Sequence, residues 1–506
     1  MDWLDFYAHF SIVFGYEPLF RVGVWMFFKI NIKIDFGSLE NDTHNYHILY
    51  DLVTKNNTGK MSKEKYEKIV NEVIDFEDKI TNFKKTKKSE TSSKSLKKIS
   101  NDTGLNWISF FQITYNAGKS FGNVKNSASI SGDEFISFEP GDPLVNFFKF
   151  IQNTPEHIVL NYLWLKGIIY LLNEFQPKNQ ETCPNIFLSD QFPLSFAIAR
   201  LYVDYSLKPG SKLKVIHMVN QLKRSAIESM KQNTLFDNET RERVIKKLRN
   251  IIDIIGFPEF IIVDEYLDEY YIVHGSINHF IGNNYCESYA KLLSYYKYLM
   301  FRLMKNDTCI EEIIYFSPLK LNAHYLPEIN SIVIKPTFLR FPLFDAELPF
   351  YVNYAKIGSI IGHEITHYSA QCFIEQYRNY SEHSYGLLGN ISTLNEDIAD
   401  NGGLSLAYMA YQDELKRILN LGKQPQLLPR LVDKKMTIEQ VFFLSLAQNQ
   451  CRSFTRNELK FSIQQDPHSP GESRVNLCMQ NFDKFAESFN CSIGSPMNPK
   501  KRCFLW

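Results

Sequence analysis

Two histidines four positions apart are the residues of this chain best suited to chemistry. They lie in the run Gly362-His363-Glu364-Ile365-Thr366-His367, within a segment, 352–376, whose pattern predicts a helix. At about 100° per residue, the two imidazoles lie about 40° apart on one face of that helix. The apolar residues predicted for the opposite, buried face are Ile357, Ile361 and Ile365.

Two neutral imidazoles one helical turn apart match the geometry of a tetrahedral zinc ion. Glu364 is next to the first histidine, where a carboxylate can take a proton from the metal's water. The motif therefore indicates metal-assisted hydrolysis, although histidines at this spacing also occur as ordinary surface residues.

A third ligand is expected downstream of the two histidines. The zinc motif with a third histidine needs Gly and His where this chain has Ala370 and Phe373, so that class is excluded. Glu396 and Asp400 follow at i, i+4 spacing and share one face of a predicted helix. Glu396 fits the third ligand, and Asp400 fits an acceptor for the N–H of a zinc-bound histidine.

Local sequence also allows a structural role for Glu396. Thr393-x-x-Glu396 matches a capping box, in which the two side chains bond to the first turn of a helix. Taken alone, this segment leaves both interpretations open. A carboxylate pair at helical spacing after His-Glu-x-x-His favours the ligand.

These residues resemble a known family. His-Glu-Ile-Thr-His followed by Asn-Glu-Asp-Ile-Ala-Asp-Asn-Gly-Gly is similar to the neprilysin and endothelin-converting-enzyme family of zinc metallopeptidases. The resemblance is strong from about residue 321 to 506 and weaker upstream. Its other motifs are Asn322-Ala323-His324-Tyr325, Asp466-Pro467-His468-Ser469-Pro470 with Arg474, and the closing run 499–506.

The resemblance implies a predominantly α fold with a small β component. It divides the chain into a mostly helical capping region, 1–310, shorter than in the family, and a thermolysin-like zincin catalytic region, 311–506. It also implies one Zn²⁺ per chain, held by His363, His367 and Glu396. The implied activity is hydrolysis of short peptides, with Glu364 as the general base.

By resemblance, five further residues contact or position the substrate. Asn322 and Ala323 would lie on an edge strand that pairs with the bound peptide. His468 would donate to the oxyanion, with Asp466 fixing its tautomer, and Arg474 would bond a substrate carbonyl.

The chain departs from the family near the site. The family has a long insertion after the second histidine, whereas Cys372 follows His367 almost at once and the connection to Glu396 is short. Asn449-Gln450 and Ser359 replace apolar residues of the family's side-chain pocket, so a preference for bulky apolar residues is not expected. The alternative function is that of a catalytically inactive relative that binds peptides or other partners.

Composition excludes some partners. The 56 basic and 56 acidic residues give zero formal charge, so nothing indicates a nucleic-acid partner. The eight cysteines form no C-x-x-C pair, which favours disulfides over a cysteine zinc site. The resemblance pairs Cys372 with Cys503.

The sequence gives mixed indications of location. Eight glycosylation sequons favour the secretory route: Asn41, Asn56, Asn101, Asn238, Asn306, Asn379, Asn390 and Asn490. The first 30 residues, however, show neither a signal peptide nor a membrane span. The resemblance implies an extracellular or secretory location, with membrane association only through an upstream anchor.

Hydrophobic periodicity predicts the remaining elements. The predicted segments are strands in 1–36, a helix over 62–83, a solvated loop over 84–98, mostly helices over 141–306 that include 213–231 and 238–255, and β structure near 313–336.

Overall fold

The computed structural model describes most of the chain. The described residues are 3–14, 19–27, 29–36, 62–84, 92–117, 129–138, 141–175, 194–234, 236–273, 282, 284, 287–293, 318–327, 329–366, 376–377, 380–381, 393–428 and 436–503. They fall into two compact units, the first of 1–198 and 259–317 and the second of 199–258 and 318–506. The domain boundary predicted at residue 310 stays a prediction, and the segment 199–258 belongs to the second unit.

The first part of the chain combines helices with a small sheet. Its elements are α1 (Trp3–Phe14), β1 (Phe20–Phe27), β2 (Lys29–Phe36), α2 (Lys63–Lys84), β3 (Ser92–Ser95), α3 (Leu96–Thr103), α4 (Trp107–Ala117), β4 (Phe135–Phe138), α5 (Gly141–Gln152) and α6 (Glu156–Phe175). The sheet order is β1-β2-β4-β3, in which β2 and β4 are parallel and the other pairs antiparallel. An aromatic core that includes Trp107, Phe110 and Phe148 packs the helices together.

The strand prediction for 1–36 is wrong over its first part, where α1 forms. Leu4, Tyr7 and Ser11 of α1 are buried at helical spacing, a period that the aromatic composition of the segment masks. The prediction is confirmed for β1 and β2, and β1 lies at an edge of the sheet.

The loop predicted over 84–98 is wrong from Ser92 onwards. There β3 pairs with β4, and Ser95 caps α3 by accepting the Lys98 N–H. Residues 85–91 lie outside the described part. The helix predicted over 62–83 is confirmed as α2.

The middle of the chain is mainly helical, as predicted. Its elements are α7 (Ser195–Ser206), α8 (Ser211–Gln232), α9 (Asn238–Arg249), β5 (Ile252–Ile255), a 3₁₀ turn (Glu259–Ile262) and α10 (Asp264–Val273). The second of the two predicted helices ends at Arg249 rather than at residue 255, because the next residues form β5.

The remaining elements carry or flank the candidate site residues that the structure describes. They are β6 (Ala323–Leu326), β7 (Ser331–Ile334), a 3₁₀ turn (Pro336–Phe338), α11 (Phe350–Asn353), a π-helical turn (Tyr354–Gly358), α12 (Ser359–Ile365), α13 (Leu394–Asn420), α14 (Ile438–Gln448), α15 (Arg456–Gln465), α16 (Gly471–Gln480) and α17 (Asp483–Ser488). The β structure predicted near 313–336 is confirmed as β6 and β7. In the sheet β5-β7-β6, β7 is central, so β6 has no second described strand beside it.

One continuous helix, which we call the His363 helix, runs from residue 350 to 365 through α11, the π turn and α12. Its predicted buried face is confirmed, since Ile357, Ile361 and Ile365 are buried in the core of the second unit. The predicted continuation is wrong at Thr366, because the helix ends at Ile365, and residues 367–375 lie outside the described part of the chain. Thr366 caps this end, with its N–H bonded to His363 O and its hydroxyl to Gly362 O.

Glycines allow the His363 helix and α13 to cross at very short range. A Cβ on Gly403 would lie 2.5 Å from Ser359 O and 2.8 Å from His363 N. A Cβ on Gly362 would lie 2.9 Å from Gly403 O. The two helix backbones are therefore in contact at Ser359 and His363. This contact places α13 beside the His-Glu-x-x-His motif.

Candidate active site

His363 lies between two carboxylates of α13. Its Nδ1 is 2.8 Å from Asp400 Oδ1, and its Nε2 is 2.9 Å from Glu396 Oε2. Burial disfavours the imidazolium, but the hydrogen bonds to Asp400 and Glu396 outweigh burial and raise the pKa of His363 to about 10. The ring orientation is thereby fixed, with Nδ1 toward Asp400 and Nε2 toward Glu396.

Glu396 reaches His363 despite the short connection before it. Burial would raise the pKa of Glu396, but hydrogen bonds from His363 and His468 hold that pKa far below its usual range. The capping box is wrong, because the Thr393 side chain accepts no backbone N–H of the first turn and instead donates to the Asp397 carboxylate at 3.0 Å. The Glu396 carboxylate therefore belongs to the site rather than to a helix cap.

Asp400 also holds a guanidinium. Arg474 of α16 donates through Nε and Nη2 to the two oxygens of Asp400, at 2.5 and 2.6 Å. Burial opposes ionisation of Asp400, but the charge of Arg474 keeps its pKa well below the usual range. The predicted bond from Arg474 to a substrate carbonyl stays a prediction.

Asp397 was not singled out in the sequence, although it lies between the two residues that were. Its side chain is 1% exposed, and Oδ2 accepts from Thr393 and from Ser469 at 3.1 Å. Burial raises the pKa of Asp397 to about 7. Because Ser469 follows His468, Asp397 ties the start of α13 to the loop that carries His468. The signal available in the sequence was i, i+4 spacing from Thr393.

His468 and Asp466 lie together, as the family resemblance implied. His468 Nδ1 is 3.0 Å from Asp466 Oδ1, which also accepts the His468 backbone N–H at 2.9 Å. His468 Nε2 is 3.3 Å from Glu396 Oε2. The hydrogen bond with Glu396 raises the pKa of His468. The second nitrogen of this imidazole thus points at the same carboxylate as His363.

Asn322 and Ala323 lie at the start of the outer strand β6. Asn322 is exposed, and its Nδ2 is 3.4 Å from Nδ1 of His324 on the same side of the strand. Burial lowers the pKa of His324, and the charge of Lys335 lowers it further against the opposing charge of Glu364. His324 therefore lies near Glu364. It was missed as a candidate residue because the resemblance gave a role only to the first two residues of the run Asn322-Ala323-His324-Tyr325.

A network of side-chain amides joins α13 to the C-terminal part of the chain. Asn481 donates to Asn401 at 3.0 Å and to Gln376 at 2.8 Å, and accepts the Cys503 N–H at 3.1 Å. Asn401 in turn donates to Tyr377 at 2.9 Å. The described residues that follow the second motif histidine in sequence are thereby held against α13.

Some predicted features fall outside the described residues. His367 is one of them, so the described residues contain no complete three-ligand set. Cys372 is another, and its pairing with the buried Cys503 stays a prediction. Cys451, Cys478 and Cys491 are free thiols. In the described part of the chain, no helix combines the length and apolar character needed to cross a membrane.

Comparison with known proteins identifies the family. The two models of peptidase family M13 match residues 39–258, and 322–370 with 368–505. Neprilysin-1 of Caenorhabditis elegans is 31% identical over 402 residues, which is 70% of this chain and 52% of that protein. Human neprilysin is 32% identical over 341 residues, 61% of this chain and 44% of that protein. The chain belongs to peptidase family M13, the neprilysin and endothelin-converting-enzyme family.

Solved structures agree on the fold. The zinc metalloprotease Zmp1 of Mycobacterium tuberculosis, solved with an inhibitor, gives a TM-score of 0.67 at 18% identity and covers 100% of this chain and 83% of its own. A Haemonchus galactose-containing glycoprotein complex gives 0.68 at 18% identity, covering 99% and 83%. The predicted fold class, mainly helical with a thermolysin-like catalytic part, is confirmed.

The chain matches only part of the length of its curated relatives. The chain spans about half the length of the curated relatives it matches, 52% of the nematode protein and 44% of the human one. Family M13 consists of zinc metalloendopeptidases. The relatives are extracellular or membrane-anchored.

Proposed function

We propose that this chain is a zinc-dependent endopeptidase that hydrolyses short peptides, with one Zn²⁺ held by His363, His367 and Glu396. The observation that carries the proposal is the convergence of His363 Nε2 and Glu396 Oε2, 2.9 Å apart, with Asp400 behind the imidazole. A histidine nitrogen and a carboxylate oxygen aimed at one point fit a catalytic zinc site. Zinc in such a site polarises the substrate carbonyl and lowers the pKa of a bound water to about 7.

Glu364 is the proposed general base. It adjoins His363 at the end of the His363 helix, and its charge acts on both His363 and His324. A carboxylate there takes a proton from the attacking water and later returns it to the leaving amine. The position of Glu364 close to His363 and His324 supports its role as the general base.

His468 is the proposed oxyanion donor. Asp466 lies against its Nδ1, and its Nε2 is 3.3 Å from Oε2 of the proposed zinc ligand Glu396, so Nε2 faces the place where negative charge would develop. Asp400 orients His363, and Arg474, which is already bonded to Asp400, is the proposed contact for a substrate carbonyl.

The outer strand β6 is the proposed binding place for the peptide main chain. A peptide that pairs with β6 at Asn322 and Ala323 extends the sheet β5-β7-β6, and the main-chain bonds form whatever the peptide sequence. By its family, we propose that the protein acts outside the cell or in the secretory lumen. Membrane association would depend on an anchor upstream of this chain.

The proposal is tested by peptide cleavage and zinc content together. We expect purified protein to contain about one zinc per chain, as catalytic sites of this type do, and to cut a mixture of short peptides. A chelator should stop cleavage and added zinc should restore it, while Glu364→Gln prepared in parallel controls for contaminating proteases. Folded, zinc-loaded protein that cuts no peptide would instead support a peptide-binding relative.

Asp400→Asn is expected to weaken zinc binding about 10- to 100-fold, because an amide no longer fixes the His363 ring as the carboxylate does. The measurement is the zinc dissociation constant in competition with a chromophoric chelator. Asp466→Asn is the matched control, since Asp466 bonds His468 rather than His363 and should leave zinc affinity unchanged.

Thermal unfolding of both Asn variants accompanies this measurement. Asp400→Asn leaves the buried Arg474 without its anion, and loss of fold would also lower zinc affinity. Equal zinc affinities of folded Asp400→Asn and Asp466→Asn would contradict the orienting role of Asp400.

A further inference from the structure

A buried lysine without a partner lies in the π turn of the His363 helix. Lys356 is 6% exposed, and no hydrogen bond or ion pair joins its ammonium group to any residue of the described chain. Burial alone lowers its pKa, with no nearby carboxylate opposing the shift. Removing an unpaired ammonium from most of its water costs free energy, and such groups occur more often at functional sites than elsewhere.

Two polar side chains lie against the backbone of the same residue. Lys356 O accepts from Ser359 Oγ at 2.9 Å and from Asn449 Nδ2 at 3.0 Å. The other end of the Asn449 amide, Oδ1, is buried without a hydrogen-bond partner. The cluster thus contains an unused cation and an unused acceptor, next to a π turn of the kind that recurs at functional sites.

This cluster adjoins the candidate active site on both sides. Lys356 is seven residues before His363 and Ser359 is four, so both lie on the side of the helix that His363 occupies. Gln450, the residue after Asn449, abuts Gly471, whose added Cβ would lie 2.4 Å from Gln450 O. Gly471 begins α16, which carries Arg474 and follows the His468 loop. The cluster therefore lies between the His363 helix and the segment that presents His468.

An acidic residue of a peptide offers the group that the ammonium lacks, because its carboxylate accepts from an ammonium. The Asn449 amide, whose Oδ1 is closed to solvent, holds the Lys356 backbone in place and does not contact the peptide. We propose that Lys356, Ser359 and Asn449 form a subsite for an acidic side chain of the substrate, next to the peptide bond that is cut. The inference rests on the proposed peptidase function and names the substrate class that this function would prefer.

The test uses peptide pairs that differ only in Glu or Gln at one position, scanned across the positions on either side of the cut bond. Wild type should cut the Glu peptide with a kcat/KM about 10- to 100-fold higher at one position, as a charged hydrogen bond supplies. Lys356→Met should abolish that preference, and Lys356→Glu should reverse it in favour of Lys over Gln. Lys416→Met, at an exposed lysine of α13, is the matched control and should keep the preference.

Stability gives a readout that does not depend on cleavage. Removing an unpaired buried charge should raise the melting temperature of Lys356→Met above that of wild type. A lysine needed only for folding would give the opposite change. If Lys356→Met does not fold, Lys356→Arg replaces it and should keep the preference for Glu, whereas loss of the preference with the charge retained would overturn the subsite.

Binding separates failure of the subsite from failure of the proposed function. Anisotropy of fluorescent Glu and Gln peptides on the Glu364→Gln background measures the subsite without turnover. Wild type that cuts both peptides equally would overturn the subsite and leave the peptidase standing. Wild type that cuts neither, while binding the Glu peptide in a Lys356-dependent way, would overturn the peptidase and leave the subsite standing.

Discussion

Glu364→Gln is expected to bind zinc as wild type does and to lose about 100- to 10,000-fold in kcat, the usual contribution of a general acid–base group. Glutamine has the shape of glutamate but cannot accept the proton of the attacking water. Zinc is retained because the proposed ligands are His363, His367 and Glu396. The measurement is kcat on one cleaved peptide, with zinc quantified in the same samples.

Glu364→Asp is the matched control for this loss. It keeps the carboxylate but withdraws it by one methylene, so we expect activity between those of wild type and Glu364→Gln. Should the activity of Glu364→Gln fall only in proportion to lost zinc, Glu364 would be a metal-site residue rather than the base. Unchanged activity with full zinc would assign the base elsewhere.

Gly403→Ala is expected to destabilise the protein by about 3 kcal/mol, the upper end of typical overpacking effects. The added Cβ would lie 2.5 Å from Ser359 O and 2.8 Å from His363 N, both of which are backbone atoms. Relief of this clash must move the His363 helix away from α13 and separate His363 from Glu396. The measurements are the free energy of unfolding in denaturant and zinc affinity.

Gly358→Ala is the control for helix propensity. Gly358 lies in the same helix with φ −61°, and an added Cβ finds its nearest atom at 3.5 Å, an ordinary contact. Alanine is favoured over glycine in helices by about 1 kcal/mol, so this variant should be neutral or slightly stabilised. If Gly403→Ala behaved like Gly358→Ala, the short crossing of the two helices would not matter for stability.

The parts of the site that the sequence predicted are those with local spacing. His363 and Glu364 are adjacent, and Glu396 and Asp400 share a helical face, whereas the pairing of Asp466 with His468 came from the family resemblance. The first two relations follow from the geometry of a single turn. The period of the isoleucines likewise placed the buried face of the His363 helix correctly.

The parts that sequence could not predict depend on contacts between distant segments. Nothing near Arg474 indicates its bond to Asp400, 74 residues earlier. Nothing near Gly403 indicates that a neighbouring backbone requires a glycine at this position. The choice between ligand and capping box for Glu396 likewise needed the position of His363, because both roles use the same spacing.

The short length of β6 limits what main-chain pairing alone can achieve. In its four residues, about two direct their backbone groups away from β7, which allows about four hydrogen bonds to a peptide. At about 1 kcal/mol net for each bond, the sum corresponds to a dissociation constant of about 1 mM. A peptide held by this strand alone would exchange rapidly. Residence time, and with it discrimination among peptides, must then come from side-chain contacts and the metal.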